Sequence, residues 1–368
     1  MKFTFDRDHM IQAIGYVQKA VNPKSPKIIL SGICIHVENK NAVLNCTDNE
    51  IGIECTIGAE VFEEGKIVVN AQLFGDIVRN MPNLDITLMT LDDVKIKLTS
   101  GDSVFELFYL KADGFPPFSE IEREGEYKID QLVLKKMLQQ TAFAISVDDT
   151  RKILTGLLLE SNQNELVAVA VDGFRVALRR NTMDGENTDI YVIIPGKTVS
   201  ELIKIIPSNS GALSLYGNKN QAIIEFDNCR VSTRIIDGQF FNYKYIVPEE
   251  YVTRLTINRG LLLDSVERAS LILNAEQSKR FPVVFSIRED SFVVKAVSDL
   301  GNVEEDIKIE MTGEELEVAF NPKYFIEALK AIEDDSIVIT FTNKVGQCVI
   351  KPIHNDSYIY LILPVRIG

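Results

Sequence analysis

Residues 189–207 read DIYVIIPGKTVSELIKIIP, a β-branched run that passes through Gly196-Lys197-Thr198 into an amphipathic stretch. A nucleotide-binding loop puts its phosphate-gripping lysine at such a junction. It also needs the glycine five residues before Gly196, because that glycine lets successive N–H groups curl around the phosphates. The position holds Tyr191, a bulky residue inside an apparent strand, and no later acidic strand end supplies a magnesium ligand. The remaining reactive residue types are equally sparse. His9, His36 and His354 stand at no metal-ligand spacing and read as surface or half-buried residues. Cys34, Cys46, Cys55, Cys229 and Cys348 fall mostly within strand-like runs at neither zinc nor redox spacing, and their odd number argues against a disulfide framework. They read as reduced core residues. No Ser/His/Asp or Cys/His arrangement stands out, and no metal or cofactor is implied. Nothing here demands catalysis.

The strand-to-helix unit around Lys197 recurs without its lysine. GKIVVNAQLFGDIVRNMP (65–82) and EELEVAFNPKYFIEALKAIE (314–333) have the same shape, with a break at Asn70, Pro195 or Asn321 between strand and helix. Aligning Ile77, Leu202 and Ala328 brings Val78, Ile203 and Leu329 together, and likewise Met81, Ile206 and Ile332, at offsets of 125 and 126 residues. Other landmarks keep that spacing. Asp6, Asp130 and Asn258 each precede an amphipathic run and can cap its free N–H groups. The apolar positions of these runs match in turn: Met10, Leu134 and Leu262; Ile14, Leu138 and Val266; Val21, Ile145 and Leu273. Asp48, Asp172 and Asp299 each follow a strand-like run and suit a turn. Short solenoid repeats have periods of roughly 20–50 residues, so this period marks three copies of one domain. The fold class predicted is α+β: in each copy, helices pack on one face of a largely antiparallel sheet. The copies span 1–120, 128–247 and 252–368, joined by the Pro-, Gly-, aromatic- and charge-rich connectors 111–127 and 238–253.

No apolar stretch is long enough to span a bilayer, and MKFTFDRDHM lacks an apolar signal core. The expected location is the cytoplasm, with no membrane partner. Charge poses a puzzle. With 39 basic and 53 acidic residues the net charge is −14, which argues against nonspecific nucleic-acid binding. Yet base is placed on or around the repeated helices: Lys19 and Lys24; Lys135, Lys136, Lys197 and Lys204; Arg259, Arg268, Lys323 and Lys330. Acid crowds the intervening segments SEIEREGE, MDGENTD and EEDIKIEMTGEELE. Helices that all face one way would give a basic surface on an acidic body; for any single lysine a solvated helix face is the simpler reading.

The threefold repeat, DGFRVAL (172–178), DGQFFNY (237–243) and the terminal LILPVR (361–366) resemble the bacterial sliding clamps, the β subunits of replicative DNA polymerase. The resemblance covers the whole chain. It implies a head-to-tail homodimer closing into a six-domain ring, helices lining a hole around duplex DNA and sheets outside. The implied role is a non-enzymatic processivity factor that tethers the replicative polymerase, the clamp loader, and repair and translesion polymerases through short hydrophobic peptides. A ring holds DNA by topology, so sequence-independent phosphate contacts suffice. The rival readings are a nucleotide hydrolase built on Lys197 and a three-domain protein-binding scaffold that does not encircle DNA.

By the same resemblance the peptide pocket is walled by Leu154, Val171, Asp172, Gly173, Phe174, Arg175 and Val176, with Phe241, Tyr245 and Ile246. Gln347 and the segment Leu361, Ile362, Leu363, Pro364, Val365 and Arg366 complete it. Without the resemblance, these apolar residues read as strand core. The family usually has proline where Phe241 stands, although Pro116 keeps one in the first connector, and a common arginine where Tyr245 stands. The implied DNA contacts are Lys24, Lys135, Arg151, Lys152, Lys197 and Lys204; Lys152 and Ile153 occupy the family's aromatic positions in the second-domain loop. The implied ring interface pairs Phe105 and Leu107 with Ile272 and Leu273, which an isolated domain is expected to leave exposed.

Overall fold

Asp6, Asp130 and Asn258 start helices as their chemistry requires. The computed structural model describes the chain apart from residues 124, 163–164, 183–187, 275–281 and 366–368. Among the described residues the α-helices are α1 (Arg7–Val17), α2 (Ala71–Asn80), α3 (Gln131–Gln139), α4 (Gly196–Ile205), α5 (Arg259–Asn274) and α6 (Pro322–Ala331). Asp6 Oδ1 accepts the His9 N–H at 2.8 Å, Asp130 Oδ1 the Leu132 N–H at 2.9 Å and Asn258 Oδ1 the Leu261 N–H at 2.9 Å. Asn70 and Asn321 do the same for α2 and α6, through Leu73 and Lys323, and Pro322 opens α6 where its missing N–H costs nothing. Burial follows helical spacing: α1 buries Met10, Ala13, Ile14 and Val17, and α6 buries Phe325, Ala328 and Leu329.

The chain packs into two compact units, residues 1–132 with 201–235, and residues 133–200 with 236–368. In the first, one antiparallel sheet of 13 strands starts at Tyr127–Asp130. It runs through Ala212–Gly217, Gln221–Phe226 and Cys229–Arg234 into Ile51–Gly58, Asn41–Thr47, Gly32–Glu38 and Gly65–Asn70. It ends with Ser103–Lys111, Lys95–Ser100, Ile86–Thr90, Lys2–Phe5 and Glu60–Glu63. Phe3, Phe5, Met10, Ile14 and Phe74 are fully buried there. The second unit holds a nine-stranded sheet, from Tyr191–Pro195 through Gly156–Asn162, Glu165–Val171 and Arg175–Thr182 into Tyr358–Ile362, Cys348–Pro352, Ser336–Phe341, Thr253–Asn258 and Glu310–Gly313. A separate four-stranded sheet orders Gly301–Lys308, Ser291–Ser298, Val283–Arg288 and Leu316–Phe320. Phe285, Phe320 and Phe325 form its aromatic centre, with ring centroids 4.8–5.7 Å apart. At Gly313, with φ +106°, an added Cβ would lie 1.9 Å from the Val252 carbonyl oxygen, so only glycine fits.

The units do not follow the sequence copies, for a visible reason. Residues 229–233 pair with 55–51, which continues the first copy's sheet into the second. Residues 175–179 pair with 362–358, which continues the second copy's sheet into the third. The middle copy is thereby shared between the units.

The first of these seams corrects the cysteine reading. Cys55 and Cys229 are register partners on adjacent antiparallel strands, their Cα atoms 4.3 Å apart, and they form a disulfide across 174 residues of sequence. Facing positions of this kind bring two side chains close, and nothing in the local spacing of either cysteine announces it. Cys34, Cys46 and Cys348 are free and buried. Burial pushes the Cys34 thiol up to about 11, against a lowering by Lys66, and also raises Cys46 and Cys348. Thiolate is therefore scarce near neutrality. Iodoacetamide should leave the native protein unlabelled, label three cysteines in denaturant without reductant, and label five once reductant is added. Five labels by intact mass without reductant would contradict the bond. Replacing both Cys55 and Cys229 by serine should cost roughly 2–4 kcal/mol of stability, because the link closes a long loop in the unfolded chain.

Candidate functional site

Strands Glu165–Val171 and Arg175–Thr182 are joined by Asp172-Gly173-Phe174. Asp172 organises this turn: its Oδ1 accepts the Phe174 N–H at 3.0 Å and the Arg175 N–H at 3.1 Å. Gly173 supplies the left-handed backbone, φ +91°, that a residue with a side chain resists. Asp48 makes the equivalent turn in the first copy, its Oδ1 taking the N–H groups of Glu50 and Ile51. The tight turn turns the Phe174 ring outward, 59% exposed.

Beneath the turn lies an apolar floor. Leu154, Val171, Val176 and Leu361 share one buried cluster with Ile236, Phe240, Tyr243, Val349 and Ile359, and Ile246 packs against it. Ile362, one residue on, points into the other cluster of the unit. The Tyr243 hydroxyl donates to Glu160 at 2.7 Å, and burial, then this carboxylate, hold its pKa well above the usual phenol value. Gln347 Nε2 reaches the Ile246 carbonyl at 3.2 Å and ties the rim to the segment after the cluster.

The C-terminal segment leaves the sheet after Ile362. The Leu363 N–H donates to the Phe174 carbonyl at 2.8 Å and the Val365 N–H to the Ala319 carbonyl at 2.8 Å. Pro364 between them has no N–H to place. Leu363, Val365, Phe241 and Tyr245 all show apolar surface to solvent, Tyr245 most of all at 87%. Arg366 lies outside the described residues. The structure thus brings Leu154, Val171, Val176, Leu361 and Ile246 together as a floor and places Asp172, Phe174, Leu363 and Gln347 by specific bonds, with Gly173 in the turn between. Phe241 and Tyr245 are exposed and stand outside the buried cluster. An apolar floor, exposed aromatic and aliphatic edges and a few fixed polar groups suit capture of a short hydrophobic peptide.

Arg175 departs from its expected place in a pocket wall. It is 6% exposed. Its guanidinium donates to Asp172 Oδ2 at 2.8 Å, to Glu327 on α6 and to the Phe143 carbonyl. It lies 4.4 Å from the Tyr324 ring centroid and 5.3 Å from that of Phe143. Tyr324 stacks in turn on Phe174, centroids 6.4 Å apart. Sequence reading missed Tyr324, Glu327 and Phe143. An aromatic residue in the first turn of α6, where α4 has Thr198 and α2 has Leu73 under the copy alignment, is the one signal that pointed to them.

Several of the basic helix residues have defined partners. Lys204, in the last turn of α4, pairs with Glu201 at 2.8 Å; Lys136 with Glu333 at 3.1 Å; Lys330 with Glu267 at 2.7 Å; and Arg268 with Glu305. Arg259 donates to the carbonyls of Asp334 and Leu329. Lys136, Lys204, Lys330 and Arg268 thus each face a carboxylate that offsets part of their charge, whereas Arg259 is held by neutral carbonyls. Lys135 is half-buried on α3. Lys24, Arg151, Lys152 and Lys197 are exposed. Lys24 sits in the turn after α1, and Arg151 and Lys152 in the 3-10 segment Asp149–Thr155, where Asp148 accepts the Thr150 N–H at 2.9 Å. Hydrogen bonds from Thr150 hold the Asp148 carboxyl below its usual value. Lys197 stands in the first turn of α4, the positive end of the helix dipole, a place that helix stability disfavours for a cation.

At the expected ring interface, Phe105 is exposed and Leu107 half-exposed on strand Ser103–Lys111, beside exposed Val104, Phe108 and Leu110. Ile272 is half-exposed, but Leu273 is 3% exposed and belongs to its own unit's core with Leu262, Val266 and Ala269. The expected exposure of Leu273 is therefore corrected. Leu271, next to Ile272, is exposed, as is Leu261 near the start of α5.

Three family models match in order along the chain: the DNA polymerase III beta subunit N-terminal domain over residues 1–119, its central domain over 128–242 and its C-terminal domain over 244–366. The beta sliding clamp of Staphylococcus epidermidis is 32% identical, with 100% of this chain and 99% of the relative covered; that of Staphylococcus aureus is 31% identical over the same shares. Among solved structures, the DNA polymerase sliding clamp of Bacillus subtilis superposes with a TM-score of 0.96 at 30% identity, and the DNA polymerase beta subunit of Streptococcus pyogenes with 0.94 at 29%, both covering 100% of each chain. With every domain matched in sequence order and relatives spanning it from end to end, the chain belongs to the beta sliding clamp family, the beta subunits of DNA polymerase III.

Proposed function

We propose that the chain closes with a second copy, head to tail, into a ring that encircles duplex DNA in the cytoplasm and tethers the replicative polymerase and other DNA-processing enzymes to it. The observation that carries this reading is the end-to-end match to a family of non-catalytic processivity subunits. In this reading the chain works as clamp domains 1–120, 128–247 and 252–368. Lys24, Arg151, Lys152 and Lys197 are the foremost phosphate contacts, and Lys135 and Lys204 secondary ones. The exposed face of strand Ser103–Lys111, with Phe105 and Leu107, meets Ile272 and its exposed neighbour Leu271 in the partner copy. The floor around Leu154, Val176 and Leu361, with Phe174 and Leu363 above it, takes hydrophobic peptides from the polymerase, the clamp loader and repair enzymes. Phe241 and Tyr245, where the family usually has proline and arginine, give a peptide preference that differs from the family's at the peptide's aromatic end.

An acidic protein that holds DNA by topology needs only weak phosphate contacts, which a chain of net charge −14 can supply locally. Binding of the free protein to a short linear duplex should be weak and fall steeply with salt, with a log–log slope of about −0.9 for each phosphate neutralised. Replacing Lys24, Arg151 and Lys197 by glutamine should flatten that slope in a fluorescence-anisotropy titration. A slope unchanged by all three replacements would remove these residues from the DNA path.

A further inference from the structure

We propose that Arg175 is a positioning residue for peptide docking: it locks the 172–174 turn to α6 so that Phe174, Tyr324 and Leu363 form one fixed surface. The inference rests on the peptide-docking reading above and assigns Arg175 a role other than contact with the peptide. A guanidinium that is 6% exposed, with Asp172, Glu327 and the Phe143 carbonyl already accepting from it, has little left to offer an incoming chain. What it does instead follows from where its acceptors come from.

They belong to different segments: the Phe143 turn, the turn after strand Glu165–Val171, and helix α6. A planar fork of five donors in fixed directions can serve them together, and its flat face can pack on aromatic rings, as it does on Tyr324 and Phe143. Lysine offers a compact charge with no plane and cannot replace it. Removing the cation would also strand Asp172 and Glu327, and an unpaired carboxylate in a half-buried place is unfavourable. Lys323, 3.8 Å from the other oxygen of Glu327, covers only that one carboxylate.

The lock reaches the surface by two routes. Tyr324, held over the guanidinium, stacks on Phe174 and fixes its ring. Asp172 clamps both the Arg175 side chain and the backbone N–H groups of Phe174 and Arg175. That sets the direction of the Phe174 carbonyl, which receives the Leu363 N–H at 2.8 Å. Loosening Arg175 should therefore free both edges of the site while leaving the apolar floor of Leu154, Val176 and Leu361 in place.

The test uses Arg175→Lys and Glu327→Gln in the full-length protein. Its probe is a synthetic peptide carrying the docking sequence of the same cell's replicative polymerase, titrated by calorimetry, with amide hydrogen exchange at Leu363 as the second readout. Arg175→Lys should weaken the peptide at least tenfold and speed Leu363 exchange by a similar factor. Glu327→Gln keeps an acceptor but removes the charge, and should give a smaller change of the same sign in both readouts. A residue important only for folding would lower melting temperature without a selective rise in exchange at Leu363. Wild-type affinity and unchanged Leu363 exchange in Arg175→Lys would overturn the proposal. Should that variant fail to fold, the same null result in Glu327→Gln would overturn it. Failure of the wild-type protein to bind the peptide would instead overturn the docking reading on which it rests.

Discussion

Removal of residues 363–368 should abolish binding of a polymerase-derived peptide while leaving the fold and the oligomeric state nearly intact. The sheet strand Tyr358–Ile362 ends before this segment, and the described part of the tail is attached through the Leu363 bond to Phe174 and the Val365 bond to Ala319. Losing two such exposed-edge hydrogen bonds costs about 0.5–1.5 kcal/mol each, little beside the packing of the cores. The consequence for docking is larger. Leu363 is 38% exposed, and the strap it belongs to holds the carbonyl of the Phe174 turn. Leu363→Ala alone should weaken the peptide by about 1–3 kcal/mol, ten- to a hundredfold, chiefly through faster release. Calorimetry on intact, truncated and Leu363→Ala proteins measures the series. Equal affinities in all three would mean that the tail is surface packing and nothing more.

The second large effect is on closure. Phe105 and Ile272 both leave apolar surface uncovered in the single chain, and Leu107 shares the strand face of Phe105. Covering a large apolar side chain contributes about 1.5–3 kcal/mol, so Phe105→Ala combined with Ile272→Ala should weaken a dimer by some two to four orders of magnitude. The variant should sediment as a folded monomer whose cooperative melting transition is retained. Leu273→Ala is the wrong probe: Leu273 is core, and emptying that position costs about 2–5 kcal/mol of folding stability. An undiminished dimer in the Phe105/Ile272 variant would place the interface elsewhere.

Much of the architecture is legible in local chemistry. The capping residues, the copy spacing and the Asp turns are each decided by a few neighbouring residues, and the hydrogen bonds of Asp6, Asp130, Asn258, Asp48 and Asp172 follow from them. At the Asp299 turn the Ser298 hydroxyl accepts the Leu300 N–H at 3.2 Å, as the Thr47 hydroxyl accepts the Asn49 N–H at 3.0 Å beside Asp48. The burial of Leu273 is carried by local pattern too, since Leu262, Val266, Ala269 and Leu273 recur at spacings of three and four, the buried stripe of a helix. The Cys55–Cys229 bond and the Arg175 lock were not legible. Each depends on register or packing between segments more than 150 residues apart, 174 for the cysteines and 152 for Arg175 and Glu327, and no local pattern records such a meeting. The same holds for the helix cations, whose charge looks open in sequence and is answered in space by Glu267, Glu305 and Glu333.

The most direct measurement loads the protein with a clamp loader onto a nicked circular duplex, washes at high salt, and then cuts the circle with a restriction enzyme. A ring that holds DNA by encirclement survives the salt, because topology does not depend on phosphate contacts, and slides off once the duplex has ends. The account predicts full retention before cutting and loss after it. Retention that persists after linearisation, or that disappears in the salt wash alone, would contradict encirclement and leave a protein held to DNA by charge.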